Sequence, residues 1–414
     1  MALVDLWMES KDQMEDKSVA QIVAFAGDGR LRDGGAASRE FRQFLAVVPT
    51  EVLARYADQC LTERFEQSGF VLQDIVNEVG RRLGFAVTHG RYRGGAGYVG
   101  YDGLWSAPDE HALVVEVKTT DAYRLDLETV AGYRRSLIRS GELADDTSSI
   151  LIVVGREDTG GLEAQIRGSH YAWDVRLISV DALLRLLRLK EATENPRIHQ
   201  QIRAVLVPRE FTKLDGIIEL VFAAAEDVQG DASEEAAPEG GEAVESARTP
   251  SAGTTGSGGR PPKFRPVAFH DACADRIATH LGRPLVKRSR ATFASPDGRL
   301  MLVCAVSREH AGQGHGAAAS YWFAFHSHQR NALASAAEAY VAFGCGSETT
   351  VLLIPFGEFA AWLDGLWTTE SEERFYWHVR ISREGDRLVL ERKRGHEPVD
   401  VTRYLLPDKG QGEA

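Results

Sequence analysis

Seven consecutive residues, Ala112-Leu113-Val114-Val115-Glu116-Val117-Lys118, restrict what this chain can fold into more than any other stretch. Apart from Glu116 and Lys118 they are apolar, and three are valines, which favour extended backbone. The run therefore reads as a strand sunk into a sheet. Side chains alternate along a strand, so Glu116 and Lys118, two positions apart, fall on one face. Two charges on a buried face are costly unless they meet each other or a ligand. Upstream, Asp102 sits in a glycine-flanked turn, Gly100-Tyr101-Asp102-Gly103, with thirteen residues between it and Glu116.

These residue types suit a hard divalent cation. The carboxylates of Asp102 and Glu116, with the Val117 carbonyl, would form an open half-shell of oxygens for Mg²⁺, with Mn²⁺ an expected substitute; waters and a substrate phosphate would complete it. Such a metal acidifies bound water and stabilises charge on phosphorus, while Lys118 orients or deprotonates the attacking water. Hydrolysis of a phosphodiester is the expected chemistry. Each fragment also has an ordinary reading. Asp-Gly is a common turn, and Glu-Val-Lys suits a solvated strand face with charges paired across the sheet.

The segment resembles the PD-(D/E)XK nuclease superfamily, with Tyr101 in the place of the proline. In that superfamily a helix precedes the strands that carry the acidic residues and the lysine. Residues 72–85 have apolar positions at helical spacing and a glycine near their end. By this resemblance Glu78 supports the metal from the leading helix, with Asp74 the competing candidate. Downstream, residues 126–139 read as an amphipathic helix, 149–155 as a buried strand and 175–180 as another strand, with Asp181 capping a helix over 182–189. The resemblance covers roughly residues 70–190. It implies an α/β fold with a restriction-endonuclease-like mixed central sheet flanked by helices. It also implies a Mg²⁺-dependent DNA endonuclease of restriction or anti-phage type, acting on double-stranded DNA as a homodimer, since cutting both strands takes two sites or two visits. Two other readings stay open: a catalytically silent nucleic-acid-binding module on the same fold, and a toxin-like effector nuclease held off by its own C-terminal domain.

Around this core, residues 1–69 read as a helical extension, with helices over 19–25 and 49–65, and the nuclease-like domain spans 70–228, closed by a helix over 214–228. From Glu226 the chain turns rich in Gly, Ala, Ser, Glu and Pro up to Pro262, so residues 229–262 are expected to be a flexible linker. Eight acidic residues and no basic one lie between Glu226 and Glu245, which accounts for most of the net charge of −12. The overall charge therefore neither supports nor excludes nucleic acid, and local distribution matters more. Candidates for phosphate contacts are Arg91, Arg93, Arg134, Arg135, Arg139, Arg167 and His170, each with the alternative of an ordinary surface role. Gly94 to Gly100 is glycine-rich but lacks the Gly-Lys-Ser/Thr of a phosphate loop.

Residues 263–407 read as a separate α+β accessory domain for recognition or sensing, with helices over 270–281 and 332–340 and strands over 300–306, 321–325 and 350–355. Its element order resembles a second nuclease-like module whose middle strand, Leu302-Val303-Cys304-Ala305-Val306, lacks the charges. Lys287, Arg288 and Arg290, or Arg392, Lys393 and Arg394, are candidate backbone contacts or plain solubilising clusters. His310 with His315, and His326 with His328, are expected to be loop or surface histidines. Cys60, Cys273, Cys304 and Cys345 lie far apart, which speaks against a zinc knuckle or a disulfide framework. An acidic start with no basic n-region, and no apolar run of spanning length, lead to the expectation of a cytoplasmic protein without a membrane segment.

Overall fold

The structure, a computed structural model, describes residues 2–95, 97–108, 111–119, 126–155, 160–207, 266–310, 319–370 and 375–407. The helix expected over 214–228 and the linker expected over 229–262 lie outside these residues. The protein is a mixed α/β chain that divides into two compact units, Met1–Asp227 with Ala278–Met301, and Val228–Ile277 with Leu302–Ala414. Among the described residues no helix is long and apolar enough to cross a membrane.

The first unit opens with helices α1 (Leu3–Glu9), α2 (Lys11–Glu15), α3 (Val19–Phe25), α4 (Ala36–Leu45) and α5 (Thr50–Thr62). Helix α6 (Ser68–Leu83) follows and stops at Gly84, whose φ of +99° is left-handed backbone that glycine adopts without strain. Next come β1 (Ala86–His89), β2 (Gly103–Ser106), β3 (Ala112–Lys118), α7 (Leu127–Arg139), β4 (Ser148–Val154), α8 (Gly160–Arg167), β5 (Val175–Ser179), α9 (Val180–Ala192) and α10 (Pro196–Val205). The strands form one sheet in the order β1-β2-β3-β4-β5, antiparallel through β3 and parallel from β3 to β5.

The period of two decides what each face meets. Leu113, Val115, Leu151 and Val153 look into a core shared with Phe41, Leu53, α6 and α9, so the N-terminal helices do pack on this sheet. Val114, Ile150, Ile152 and Val154 look the other way, onto Leu127, Val130 and Ala131 of α7. Helix α7 starts where Asp126 accepts from the Thr129 amide at 3.1 Å, as its position before the amphipathic run implies. At α9 the capping residue is Ser179, which accepts from the Ala182 amide at 3.1 Å. Asp181, expected as the cap, lies in the first turn and pairs with Arg185 at 2.7 Å. Two residues before Asp181, the serine ends the strand and starts the helix without a connecting loop.

The rest of the chain supplies α11 (Pro266–Leu281), β6 (Val286–Lys287), β7 (Thr292–Ala294), β8 (Leu300–Ser307), β9 (Ser320–His326), α12 (Ser327–Ala334), β10 (Glu338–Cys345), β11 (Val351–Pro355), α13 (Phe356–Ala360), β12 (Trp367–Glu370), β13 (Phe375–Glu384), β14 (Arg387–Leu390) and β15 (Val399–Asp400). They make two sheets, β11-β10-β8-β7-β6 and β12-β13-β14-β15, with β9 paired to β13. The helix expected over 332–340 ends at Ala334, and Glu338–Cys345 is a strand instead. Alanines favour helix only by fractions of a kcal/mol per residue. Here that preference is outweighed by antiparallel pairing with β11 from Tyr340 to Gly344 and by the burial of Val341, Ala342 and Phe343. All four cysteines are buried and free.

Candidate active site

Asp102 is held by its own backbone. Its carbonyl accepts from the Gly90 amide at 2.9 Å, from Gln73 Nε2 at 3.0 Å and from Asn77 Nδ2 at 2.9 Å, while its amide donates to the Val115 carbonyl at 3.0 Å. Asn77 is oriented in turn, because Trp105 Nε1 can only donate and does so to Asn77 Oδ1 at 2.8 Å. The fit leaves no spare room. A Cβ at Gly103 would stand 2.2 Å from Asn77 Oδ1, and one at Gly80 would stand 2.5 Å from the Trp105 ring. The glycine after Asp102 is thus a packing requirement as well as a turn signal.

The Asp102 carboxylate reaches past the start of β2 and accepts from the Val117 amide through Oδ2 at 2.7 Å. Within a strand the N–H and C=O of one residue point to the same side, so the Val117 carbonyl faces this edge too. Glu116 and Lys118 project from the α7 face of β3 and meet directly, Lys118 Nζ to Glu116 Oε1 at 2.6 Å. The other oxygen, Glu116 Oε2, is buried and has no hydrogen-bond partner among the described residues. A carboxylate oxygen in that state is costly unless something occupies it.

The electrostatics agree. Burial pushes the Asp102 carboxyl up to about 7, with the Glu116 charge adding to it and the Val117 N–H and Lys118 opposing it. For Lys118, burial works against the ammonium, but the hydrogen bond it donates to Glu116 and the charges of Glu116 and Asp102 outweigh it, so the net shift is upward. Lys118 is therefore a cation and a donor here, suited to orienting a water or a phosphate oxygen more than to removing a proton.

Among the described residues no group of three or more His, Cys, Asp or Glu could hold a metal. The protein's contribution is two carboxylates and a main-chain carbonyl, all hard oxygens, with one buried oxygen unsatisfied. That donor set fits Mg²⁺ or Mn²⁺, which keep several waters and bind through one or two carboxylates plus substrate phosphate.

Glu78 does not join this group. Helix α6 lies against the sheet face that carries Leu113 and Val115, whereas Glu116 and Lys118 point to the opposite face. Both Glu78 oxygens are engaged by Arg81 (2.6 and 2.8 Å) and by Arg82 (2.8 Å), and buried Arg82 donates onward to the Leu45 and Val48 carbonyls. Glu78 thus ties α6 to the α4–α5 turn, a correction to its expected support of the metal. Asp74, the competing candidate, is taken by Arg42 at 2.8 Å and by the Tyr92 hydroxyl. What α6 lends the site is amides, Gln73 and Asn77, one turn apart. That i, i+4 pair of amides, set among the apolar positions of α6, was the available signal.

Tyr133 was also missed. It projects from α7 toward the site, where its phenol is pushed up by burial and by the Glu116 charge. A Cβ on Gly100 would meet its hydroxyl at 2.8 Å. A polar tip on the buried side of α7, beside Val130 and Leu137, marks it in the sequence.

The expected phosphate contacts divide. Arg134 is buried, bonded to Ser148 Oγ at 3.0 Å and Asp145 Oδ1 at 2.7 Å, and so it braces α7 against β4 rather than facing a nucleic acid. Arg135 is occupied by Glu128 and by the Tyr171 hydroxyl. Arg139 folds back on the Arg135 carbonyl. These three arginines, with Tyr171, Asp145 and Asp174, line a cavity of about 610 Å³ in which the two aspartates offset much of the positive charge. Arg91 bonds Asp33 and lies over the Tyr98 ring at 4.0 Å. Arg93, Arg167 and His170 are exposed. Of the C-terminal candidates, Arg288 is largely buried, and desolvation pulls it down to about 10.

No protein-family model matches this chain, and no curated protein matches it in sequence.

Proposed function

We propose that the first unit is a PD-(D/E)XK-type phosphodiesterase with a restriction-endonuclease-like core, hydrolysing DNA with Mg²⁺. The observation that carries this reading is Glu116: one oxygen is held by Lys118, and the other is buried with no partner, beside Asp102, whose carboxyl is pushed up to about 7. A bound Mg²⁺ would supply charge neutralisation at phosphorus and an acidified water. Asp102, Glu116 and the Val117 carbonyl would hold it. Lys118, once released from Glu116, would donate to the attacking water or to a non-bridging phosphate oxygen, and Tyr133 would donate from α7. Gln73 and Asn77 fix the Asp102 backbone so that its carboxylate stays in place before substrate arrives, which is how preorganised sites limit reorganisation cost. Arg93, Arg167 and His170 remain as exposed phosphate contacts, and duplex cleavage would use a homodimer.

The test is incubation of wild type and Lys118→Ala with supercoiled plasmid, modified and unmodified, in Mg²⁺, Mn²⁺ or EDTA. Metal-dependent nicking or linearisation is expected, and its loss in the variant. A folded wild type that cuts nothing under any metal would sink the enzyme and leave a binding module or an effector awaiting a trigger.

A further inference from the structure

Glu194, in the turn between α9 and α10, and Ser289, in the turn between β6 and β7, are 95 positions apart in sequence, and both belong to the first unit. They meet in its interior. Glu194 Oε1 accepts from Ser289 Oγ at 2.6 Å and from the Ala291 amide, and Oε2 accepts from Thr292 Oγ1 at 3.4 Å. All four residues are buried. A carboxylate taken out of water needs such donors, because each one it lacks leaves a charged oxygen unsatisfied. The turn is arranged to supply them. The Arg288 and Ser289 amides donate to the Thr292 carbonyl at 2.8 and 3.2 Å, and the Ala291 amide goes to Glu194 with the two hydroxyls.

The last turn of α9 adds a second clasp. Lys190 Nζ donates to the Arg288 carbonyl at 2.6 Å. Burial pulls this ammonium down to about 8, with the Arg288 and Arg203 charges adding to the shift and those of Glu191 and Glu194 opposing it. His199 Nε2 lies 3.1 Å from both the Lys190 and the Thr193 carbonyls, so it carries a proton there, and burial with the Lys190 charge keeps the ring neutral by pulling it down to about 4. Beside Lys190, Glu191 accepts from Thr50 Oγ1 at 2.7 Å, and Arg82 of α6 donates to the same hydroxyl at 3.1 Å while also holding Glu78. A connected path therefore runs, through hydrogen bonds and the end of α9, from the β6–β7 turn to α6. That is the helix whose Gln73 and Asn77 hold the Asp102 carbonyl.

We propose that residues 286–292 are a strap: seated on Lys190 and Glu194, they fix the end of α9 against α6 and thereby keep the Asp102 backbone in place. Glu194 is the positioning residue. Removing one side of a buried, hydrogen-bonded charge leaves the other side unsatisfied, so release at Glu194 weakens the whole contact. The first unit is then incomplete without a segment that follows residue 277. Releasing the strap loosens the site and does not unmask it. The inference rests on the packing of the first unit and not on the phosphodiesterase reading.

The full-length protein, in EDTA, is followed by hydrogen–deuterium exchange as wild type, Glu194→Ala, Glu194→Gln and Ser289→Ala. In Glu194→Ala, exchange is expected to rise by about 5- to 150-fold in residues 286–294. It should rise with them in α6 and in residues 102–106, while β13 and β14 of the second unit keep the wild-type rate. Ser289→Ala removes one of the three donors to Glu194 and should give about a 2- to 10-fold rise in the same places, which decides the matter if Glu194→Ala does not fold. Glu194→Gln keeps an acceptor oxygen and should return exchange close to wild type. Faster exchange confined to residues 286–294, an equal rise in β13 and β14, or no difference between Ala and Gln at position 194 overturns the proposal. Neither substrate nor metal enters the measurement, so a failed plasmid assay leaves the strap standing and a failed strap leaves the phosphodiesterase standing.

Discussion

The chain builds the same succession of strands twice and fills it differently. A sixteen-residue helix, α6, leads into β1-β2-β3-β4-β5, and another of sixteen residues, α11, leads into β6-β7-β8-β10-β11. The last pair is parallel in the first sheet and antiparallel in the second, and β9 leaves the second sheet to pair with β13. The contrast that matters lies in the middle strand. β3 presents Glu116 and Lys118 on one face, whereas β8 presents Leu302, Val303, Cys304 and Val306, all buried. Cys304 shares a hydrogen bond with Cys273, which together with burial raises its thiol well above the ordinary range, so it is an inert packing group. A middle strand in this arrangement evidently needs no charge to fold. The charges on β3 are a cost the fold does not require, and the proposed metal site would account for them.

The comparison can be broken most severely from the second sheet. Cys304→Glu would bury a carboxylate with neither lysine nor metal to meet it, at a cost on the order of 3–5 kcal/mol. Calorimetry should lose or sharply lower the transition of the second unit, which holds Cys304; a near-wild-type melt would mean the two middle strands are interchangeable. The reverse swap, Glu116→Val, should abolish plasmid cleavage by about a thousandfold or more while leaving the metal-free melting temperature equal or higher, because an unsatisfied oxygen is removed. A clear drop in stability would instead make Glu116 structural.

Smaller effects sharpen the picture. Asn77→Ala leaves the buried Trp105 N–H and the Asp102 carbonyl each short of a partner, so it should cost about 1–3 kcal/mol in denaturant unfolding and also reduce turnover. Loss of stability with full activity would separate α6 from the site. The mildest test is pH. The folded state holds the Asp102 proton up to about 7, against 3.8 for an unperturbed aspartate. The metal-free protein should therefore lose stability as pH rises between those values and level off above them. Mn²⁺ must displace the same proton, so its apparent affinity should fall about tenfold per unit below pH 7 by calorimetric titration. A flat profile in both would remove Asp102 from the metal's ligands.

Much of the first unit was legible beforehand. The strand of Glu116 and Lys118, the buried strand β4 and the helix after Asp126 each announce themselves through a local period, and local periods survive into the fold because each is enforced by a single buried face. The failures have the opposite character. Asp181 looked like a cap, but Ser179 holds that position. The alanine-rich stretch at 332–340 looked helical, but pairing with β11 turned its second half into strand. Glu78 matched a family position, yet Arg81 and Arg82, chain neighbours one turn away, occupy it. Arg134 looked like a phosphate contact, and a serine and an aspartate on another element bury it.

The sequence by itself determined that Glu116 and Lys118 share a face, that Asp102 sits in a turn able to reach them, and that the cysteines form no ligand set, because these follow from spacing along one strand or from counting. Only the tertiary structure decided that Gln73, Asn77 and Trp105 hold Asp102 from behind, that Tyr133 overlooks the carboxylates, and that Ser289 and Ala291 meet Glu194. The bonds from Asn77 and Gln73 to Asp102 join residues 25 and 29 positions apart, and register and packing between elements, which no local pattern encodes, set which residues meet.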